Sequence, residues 1–354
     1  MTDYSGKKQL LIKLLATVVS LVVFVLLSEL VLNIFDPELN YKNQFFPINR
    51  DIDFPEFYEK DTELFWRLRE AQTLKSRWFS DLSYRINSAG IRGDEIKETK
   101  VGRRIIALGN SCTFGWGVPI ENCWTTLLER NLRTKLPASS LEVINAGIPG
   151  YSSFQGKKYF EELLKYQPDI VLIMFGWNDH WKAGKEISDA EQKTPPAIVV
   201  SLQNIFSKLK LYKLLRKITL SATEDTQFVR IDDISGKRRV PLEEYFENLT
   251  EIIKTSRKHN IRPVLLIPPI PSLENYFTAT RSNLHLLHQK YQEKMLRVSE
   301  YRQVEIIDLQ SAFDNFNTLF DNPLEDPIHF NAQGHEVAAL AISEYLLANQ
   351  LTDK

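Results

Sequence analysis

Five short runs of aliphatic residues, 104–109, 142–146, 170–176, 263–267 and 304–309, are each closed by turn-forming residues. The stretches between them repeat apolar residues three and four positions apart: Trp124-Leu127-Leu128 with Leu132, Tyr159-Phe160-Leu163-Leu164, and Tyr245-Leu249-Ile252-Ile253. Continuous apolar runs of this length suit strands buried on both faces, and the three-and-four spacing suits helices that cover them. Strand and helix therefore alternate. That order predicts an α/β fold, a three-layer α/β/α sandwich around a five-stranded parallel sheet with right-handed crossovers. In such a fold a ligand cleft lies at the carboxyl ends of the strands.

The chain has 354 residues, 43% hydrophobic and 25% charged, enough for one large core plus smaller additions. With 44 basic and 45 acidic residues the formal net charge is -1, which removes any global electrostatic case for nucleic acid. Two cysteines, Cys112 and Cys123, are too few for a disulfide framework and lack metal-site spacing; two small buried thiols are expected.

Residues 10–35 break this composition. No charge occurs from residue 14 to 27, and apolar character continues past Glu29. A helix of that length crosses about 30 Å of hydrocarbon, so residues 14–35 are expected to be a retained transmembrane anchor. A cleaved signal peptide needs a shorter run and a small-residue cleavage site, and a buried core helix is the other alternative. Lys7, Lys8 and Lys13 precede the run while Asp36 and Glu38 follow it. Basic flanks favour the cytoplasmic side, which puts residues 1–13 in the cytoplasm and the remainder outside.

Residues 36–100, rich in aromatics and prolines, are expected to pack on a main domain spanning 101–350. Within them, residues 82–87 alternate like a strand that ends at Ser88-Ala89-Gly90. An insertion at about 181–240 interrupts the alternation. It contains a helical stretch at 202–220 with Lys208, Lys210, Lys213, Arg216 and Lys217 among leucines and isoleucines. A lid or membrane-surface helix fits this pattern, and the solvated face of an ordinary inserted helix fits it better.

The first run leads into Gly109-Asn110-Ser111-Cys112, where a strand end delivers a serine into the expected cleft. Alone, such a serine more often caps a helix. The other strand ends change its meaning. The second run closes in Asn145-Ala146-Gly147-Ile148-Pro149-Gly150, the third in Gly176-Trp177-Asn178-Asp179, and Asp326-Pro327-Ile328-His329 precedes the final helix. A serine hydroxyl needs a base, and an imidazole suits the task near neutral pH. His329 is the candidate base, and Asp326, three residues earlier across a proline-containing turn, can fix its tautomer. The amides of Ser111 and Gly150 and the Asn178 side-chain NH2 are candidate oxyanion donors. Singly, Gly150 reads as a turn glycine and Asn178 and Asp326 as caps; jointly they supply every part of an acyl-transfer site.

These four blocks resemble the SGNH, or GDSL-type, hydrolase family, whose serine, glycine, asparagine and histidine fall on Ser111, Gly150, Asn178 and His329, with Asp326 as the triad acid. The resemblance covers about residues 101–350. It implies a flavodoxin-like sandwich and hydrolysis or transfer of ester-linked acyl groups without a metal or organic cofactor. Where the family usually has aspartate before the serine, this chain has Asn110, which removes a charge beside the nucleophile.

Trp116, Trp177 and His180, with Trp181, flank the expected cleft as substrate-binding candidates or ordinary wall residues. His285 and His288 share a helical face without nearby acids or cysteines, so no metal site is expected. His335 reads as packing or solvent-facing, and Asn248-Leu249-Thr250 as a chance sequon. The expected function is a membrane-anchored serine esterase acting on acyl esters, short-chain or acetyl, of a small molecule, cell-envelope glycan or lipid. The alternatives are an O-acyltransferase using the same acyl-enzyme and a catalytically silent glycan-binding module.

Overall fold

The computed structural model describes residues 3–35, 57–75, 82–137, 140–221, 234–271, 279–314, 316, 318–322 and 326–350. The chain divides into two units, one of residues 1–60 with 195–227 and the other of residues 61–194 with 228–354.

The second unit is built on a parallel sheet of β1 (Arg103–Gly109), β2 (Leu141–Gly147), β3 (Ile170–Met174), β4 (Arg262–Ile267) and β5 (Glu305–Asp308), in the order β2-β1-β3-β4-β5. Each apolar run is a strand, with bounds within two residues of those expected. All five residues of β3 are buried, as a central strand covered on both faces requires. The outer layers are two helical groups. Helix α3 (Trp124–Lys135) packs on α9 (Ala332–Ala348), while α4 (Ser153–Leu163) packs on α7 (Leu242–Lys258), which also packs on α8 (Ala279–Arg302). Because β1 has β2 on one side and β3 on the other, the crossovers change direction there. The loops after β1, β2 and β3 therefore diverge and leave a crevice at their carboxyl ends.

Of the segment 36–100, residues 36–56 and 76–81 lie outside those described. From Asp61 onward it belongs to the unit of the sheet. The expected strand is Ser83–Ile86, paired antiparallel with Gln72–Lys75. Trp66 is buried, and its indole N–H donates to Pro149 O at 3.2 Å.

In the first unit, α1 (Asp3–Phe35) contains a 30-residue apolar stretch, Gly6–Phe35, long enough to cross a membrane. Its most apolar window is 0% buried, so it is no core helix. The helix expected over 202–220 is instead two, α5 (Ala197–Phe206) and α6 (Lys210–Ser221). The break follows from capping. The Glu29 carboxylate of α1 accepts from the amides of Lys210 at 3.1 Å and Leu211 at 2.7 Å, starting a new helix where a continuous one would have used those amides internally.

Candidate active site

Strand β1 ends at Gly109, and α2 (Ser111–Phe114) begins at once. Asn110 is the cap of α2: its side-chain oxygen accepts from the Cys112 amide at 3.0 Å. An aspartate in its place would offer the same acceptor, so this substitution leaves the turn intact. The turn seats closely on β2, because a Cβ at Gly147 would lie 2.2 Å from the Phe114 amide nitrogen. Ser111 is thereby fixed just past the carboxyl end of β1.

His329 arrives from the opposite end of the chain. Residues 326–329 are not the turn expected from the proline. They belong to strand β7 (Asp326–Phe330), paired antiparallel with β6 (Phe320–Asn322). Pro327 is tolerated because this two-stranded ribbon leaves one edge unpaired. Strand β7 presents His329 so that Nε2 lies 2.8 Å from Ser111 Oγ and Nδ1 2.6 Å from Asp326 Oδ2. The other Asp326 oxygen accepts from the Ile328 and His329 amides, each at 3.1 Å. Burial pushes the Asp326 carboxyl up, but the facing imidazole and these hydrogen bonds more than offset it and hold it below the ordinary carboxylate range. An ionised Asp326 fixes the proton on Nδ1 and leaves Nε2 bare toward the serine hydroxyl.

Gly150 and Asn178 come from the loops after β2 and β3. Gly150 has φ +84°, a left-handed conformation that favours glycine. Among the described residues, no hydrogen bond takes the backbone amide of Ser111 or Gly150. Asn178 is buried, with Nδ2 donating to Tyr151 O at 3.0 Å, which leaves its second N–H available. Asp179 holds the two loops together, accepting from the Ser153 amide at 2.8 Å and the Gly176 amide at 3.0 Å; burial pushes its carboxyl up to about 6 against those bonds.

The sequence model of the GDSL-like lipase/acylhydrolase family matches residues 107–337, the span that holds this whole constellation. The chain belongs to that family. An arylesterase of Vibrio mimicus is 33% identical over 82 residues, 23% of this chain and 40% of that relative's length. A lipase/acylhydrolase from Enterococcus faecalis, 19% identical with a TM-score of 0.45, is covered over 96% of its chain and 70% of this one. A psychrotrophic esterase from Pseudoalteromonas sp. is 18% identical with a TM-score of 0.44, over 100% of its chain and 71% of this one.

The aromatic candidates of this GDSL-like domain separate. Trp116 is half-buried beside the site, stacked on Tyr84 at 5.6 Å and with its ring centre 6.4 Å from that of His329. Trp177 and His180, by contrast, are buried and are core residues rather than substrate-facing ones. Trp177 stacks on His288 at 3.9 Å, and His180 is fully enclosed. His288 donates from Nε2 to Pro268 O at 2.9 Å, so its bare Nδ1 accepts from His180 Nε2 at 3.1 Å. His335 is also buried and accepts from the Trp124 amide at 3.2 Å. Cys112 and Cys123 are free and buried. Asn248 of the sequon is buried, its amide donating to Ser153 Oγ at 3.2 Å. Among the described residues no group of three or more His, Cys, Asp or Glu is placed to hold a metal.

Sequence reasoning missed Arg239. Its fully buried guanidinium pairs with buried Asp189 at 2.8 and 3.1 Å and donates to Gln155 Oε1 at 3.0 Å and to Gly150 O at 2.9 Å. It thus holds the carbonyl of Gly150, the residue whose amide is a candidate oxyanion donor. No local signal marks it, because it ends the run Lys237-Arg238-Arg239, which reads as a solvated basic loop.

Proposed function

We propose that this chain is a membrane-anchored serine esterase. The observation that carries the proposal is the continuous hydrogen-bond chain from Ser111 Oγ through His329 to Asp326, at 2.8 and 2.6 Å. His329 Nε2 takes the Ser111 proton as Oγ attacks the ester carbonyl. The oxyanion is received by the amides of Ser111 and Gly150 and the free N–H of Asn178 Nδ2. His329 then protonates the departing alcohol, leaving an acyl-serine. Water, deprotonated by the same imidazole, attacks the acyl carbon, releases the acid and regenerates Ser111. Asp326 keeps the ring in one tautomer and stabilises the imidazolium throughout. One oxyanion donor is worth about 10²–10³ in turnover, so loss of any of the three is expected to be visible in kcat.

Short-chain esters, acetyl esters among them, borne by a small molecule or by envelope glycans or lipids, are the proposed substrates, with Trp116 at the lip as an apolar wall for the alcohol. Helix α1 is the proposed anchor. The basic flank of Lys7, Lys8 and Lys13 favours a cytoplasmic amino terminus and an extracytoplasmic catalytic unit. The arylesterase name of the Vibrio mimicus relative makes p-nitrophenyl acetate the natural first probe.

The test is covalent labelling of the full chain by a fluorophosphonate, together with hydrolysis of p-nitrophenyl acetate. Both are expected to vanish in Ser111→Ala while the fold persists by circular dichroism. Labelling that survives that substitution overturns the assignment. Product analysis with an added acetyl-accepting glycan separates hydrolysis from transfer: free acetate in excess supports the esterase, and transfer product in excess replaces it with an acyltransferase.

A further inference from the structure

Helix α5 turns Val200, which is buried, and Gln203 and Asn204, which are half-buried, inward. The two polar residues are tied to the chain at Lys60: the Lys60 amide donates to Asn204 Oδ1 at 2.8 Å, Asn204 Nδ2 donates to Lys60 O at 2.8 Å, and Lys60 Nζ donates to Gln203 Oε1 at 3.0 Å. The opposite side carries Ile198, Leu202, Ile205 and Phe206, exposed by 68, 45, 62 and 44%. Their spacing is that of one helical face. In water this arrangement turns two polar side chains inward beside Val200 and leaves an apolar stripe uncovered, which a soluble surface helix avoids.

Helix α6 supplies the second observation. It is fastened to α1 near the end of the apolar span by the Glu29 carboxylate on the Lys210 and Leu211 amides, and Lys210 Nζ also donates to Leu32 O at 3.4 Å. It too exposes apolar residues, Leu215 and Ile218. From residue 197 to 221 the chain carries five basic residues, Lys208, Lys210, Lys213, Arg216 and Lys217, and no acidic one. An apolar stripe with basic, acid-free flanks is the composition that settles at a bilayer surface bearing anionic headgroups.

We infer that α5 and α6 form an interfacial arm lying in the membrane surface where α1 leaves it, with Ile198, Leu202, Ile205 and Phe206 turned to the acyl chains and the basic side chains at anionic headgroups. This rests on α1 being a membrane span. A bilayer is favoured over a protein partner because the arm is continuous with that span: Glu29, in the last turns of a span that ends at Phe35, is itself the cap of α6. The arm replaces the solvated-helix reading of this segment, because the exposed face is the apolar one.

The test uses the full chain in vesicles of phosphatidylcholine with phosphatidylglycerol. Both native cysteines are buried, so a single introduced cysteine takes an environment-sensitive fluorophore selectively. Ile205→Cys and Leu202→Cys report on the arm, and Val22→Cys reports on the span. Brominated acyl chains are expected to quench both arm labels at least twofold, with a blue-shifted emission and shielding from aqueous iodide. An arm label that iodide quenches and bromolipid does not, while Val22→Cys is quenched by bromolipid, overturns the arm and leaves the anchor standing. A Val22→Cys label that bromolipid fails to quench overturns the span instead. Arm labels shielded from both quenchers, with Ile205→Cys chains oxidising to a covalent dimer, overturn the proposal in favour of a second copy as the occupant.

Discussion

Removing the Arg239 guanidinium is expected to damage both stability and turnover. Arg239→Met leaves Asp189, whose side chain is 1% exposed, with one remaining side-chain bond among the described residues, from Ser152 Oγ at 2.7 Å. Breaking a buried pair from one side costs about 3–5 kcal/mol. At about 2–4 °C per kcal/mol for a domain of this size, the melting temperature falls by about 6–20 °C. Because Gly150 O also loses its donor, the peptide that follows the candidate oxyanion amide is freed. Misplacement of about 1 Å at such a site costs up to about 10²-fold in kcat, with KM changed less. Adding Asp189→Leu removes the stranded charge, so the double variant recovers stability, with a coupling energy of about 0.5–3 kcal/mol in the cycle. Scanning calorimetry and p-nitrophenyl acetate kinetics below the transition measure both effects. A melting temperature within about 2 °C of the parent for Arg239→Met, or strictly additive effects in the cycle, would refute the reasoning.

Other consequences follow from the same geometry. Asp326→Asn places an NH2 or an uncharged oxygen against His329 Nδ1, and kcat is expected to fall about 10³- to 10⁴-fold with little change in KM, in steady-state kinetics. Burial holds His288 and His335 neutral, with both pushed down to about 3, and His180 well below the ordinary range. The unfolded chain takes up protons from about pH 6.5 downward and the folded one does not. Stability is therefore full above about 6.5 and declines toward about 3, by up to about 1.4 kcal/mol per pH unit for each ring. Asp179, pushed up to about 6, works in the opposite sense between about pH 6 and 4, so His288→Gln should lower the net slope by up to about 1.4 kcal/mol per pH unit in melting curves taken from pH 7 to 4. Asn110→Asp keeps the oxygen that caps Cys112, so its melting temperature is expected within about 2 °C of the parent, an N-cap exchange between two good formers costing little; a larger fall would show that the Asn110 NH2 is needed.

The pattern of the chain by itself determined the sheet, because strands buried on both faces must be continuously apolar and are bounded by the turns that end them; β1 to β5 are where those runs fall. It also marked Ser111, Gly150, Asn178, Asp326 and His329 as the candidate site, since chemistry at a strand end needs particular residue types in particular loops. Burial was different. Trp177 and His180 sit one and four residues past Gly176, near the expected cleft in sequence, yet their side chains turn into the core against His288, which comes from α8 more than a hundred residues later. Only the meeting of those distant segments decides whether an aromatic faces substrate or packing. The same holds for Arg239, whose meaning depends on Asp189, Gln155 and the Gly150 carbonyl, and for α5, where Lys60 pulls the polar side inward and reverses which face meets the surroundings. Periodicity records that a helix has two faces; which one is covered is set by long-range hydrogen bonds that no local window contains.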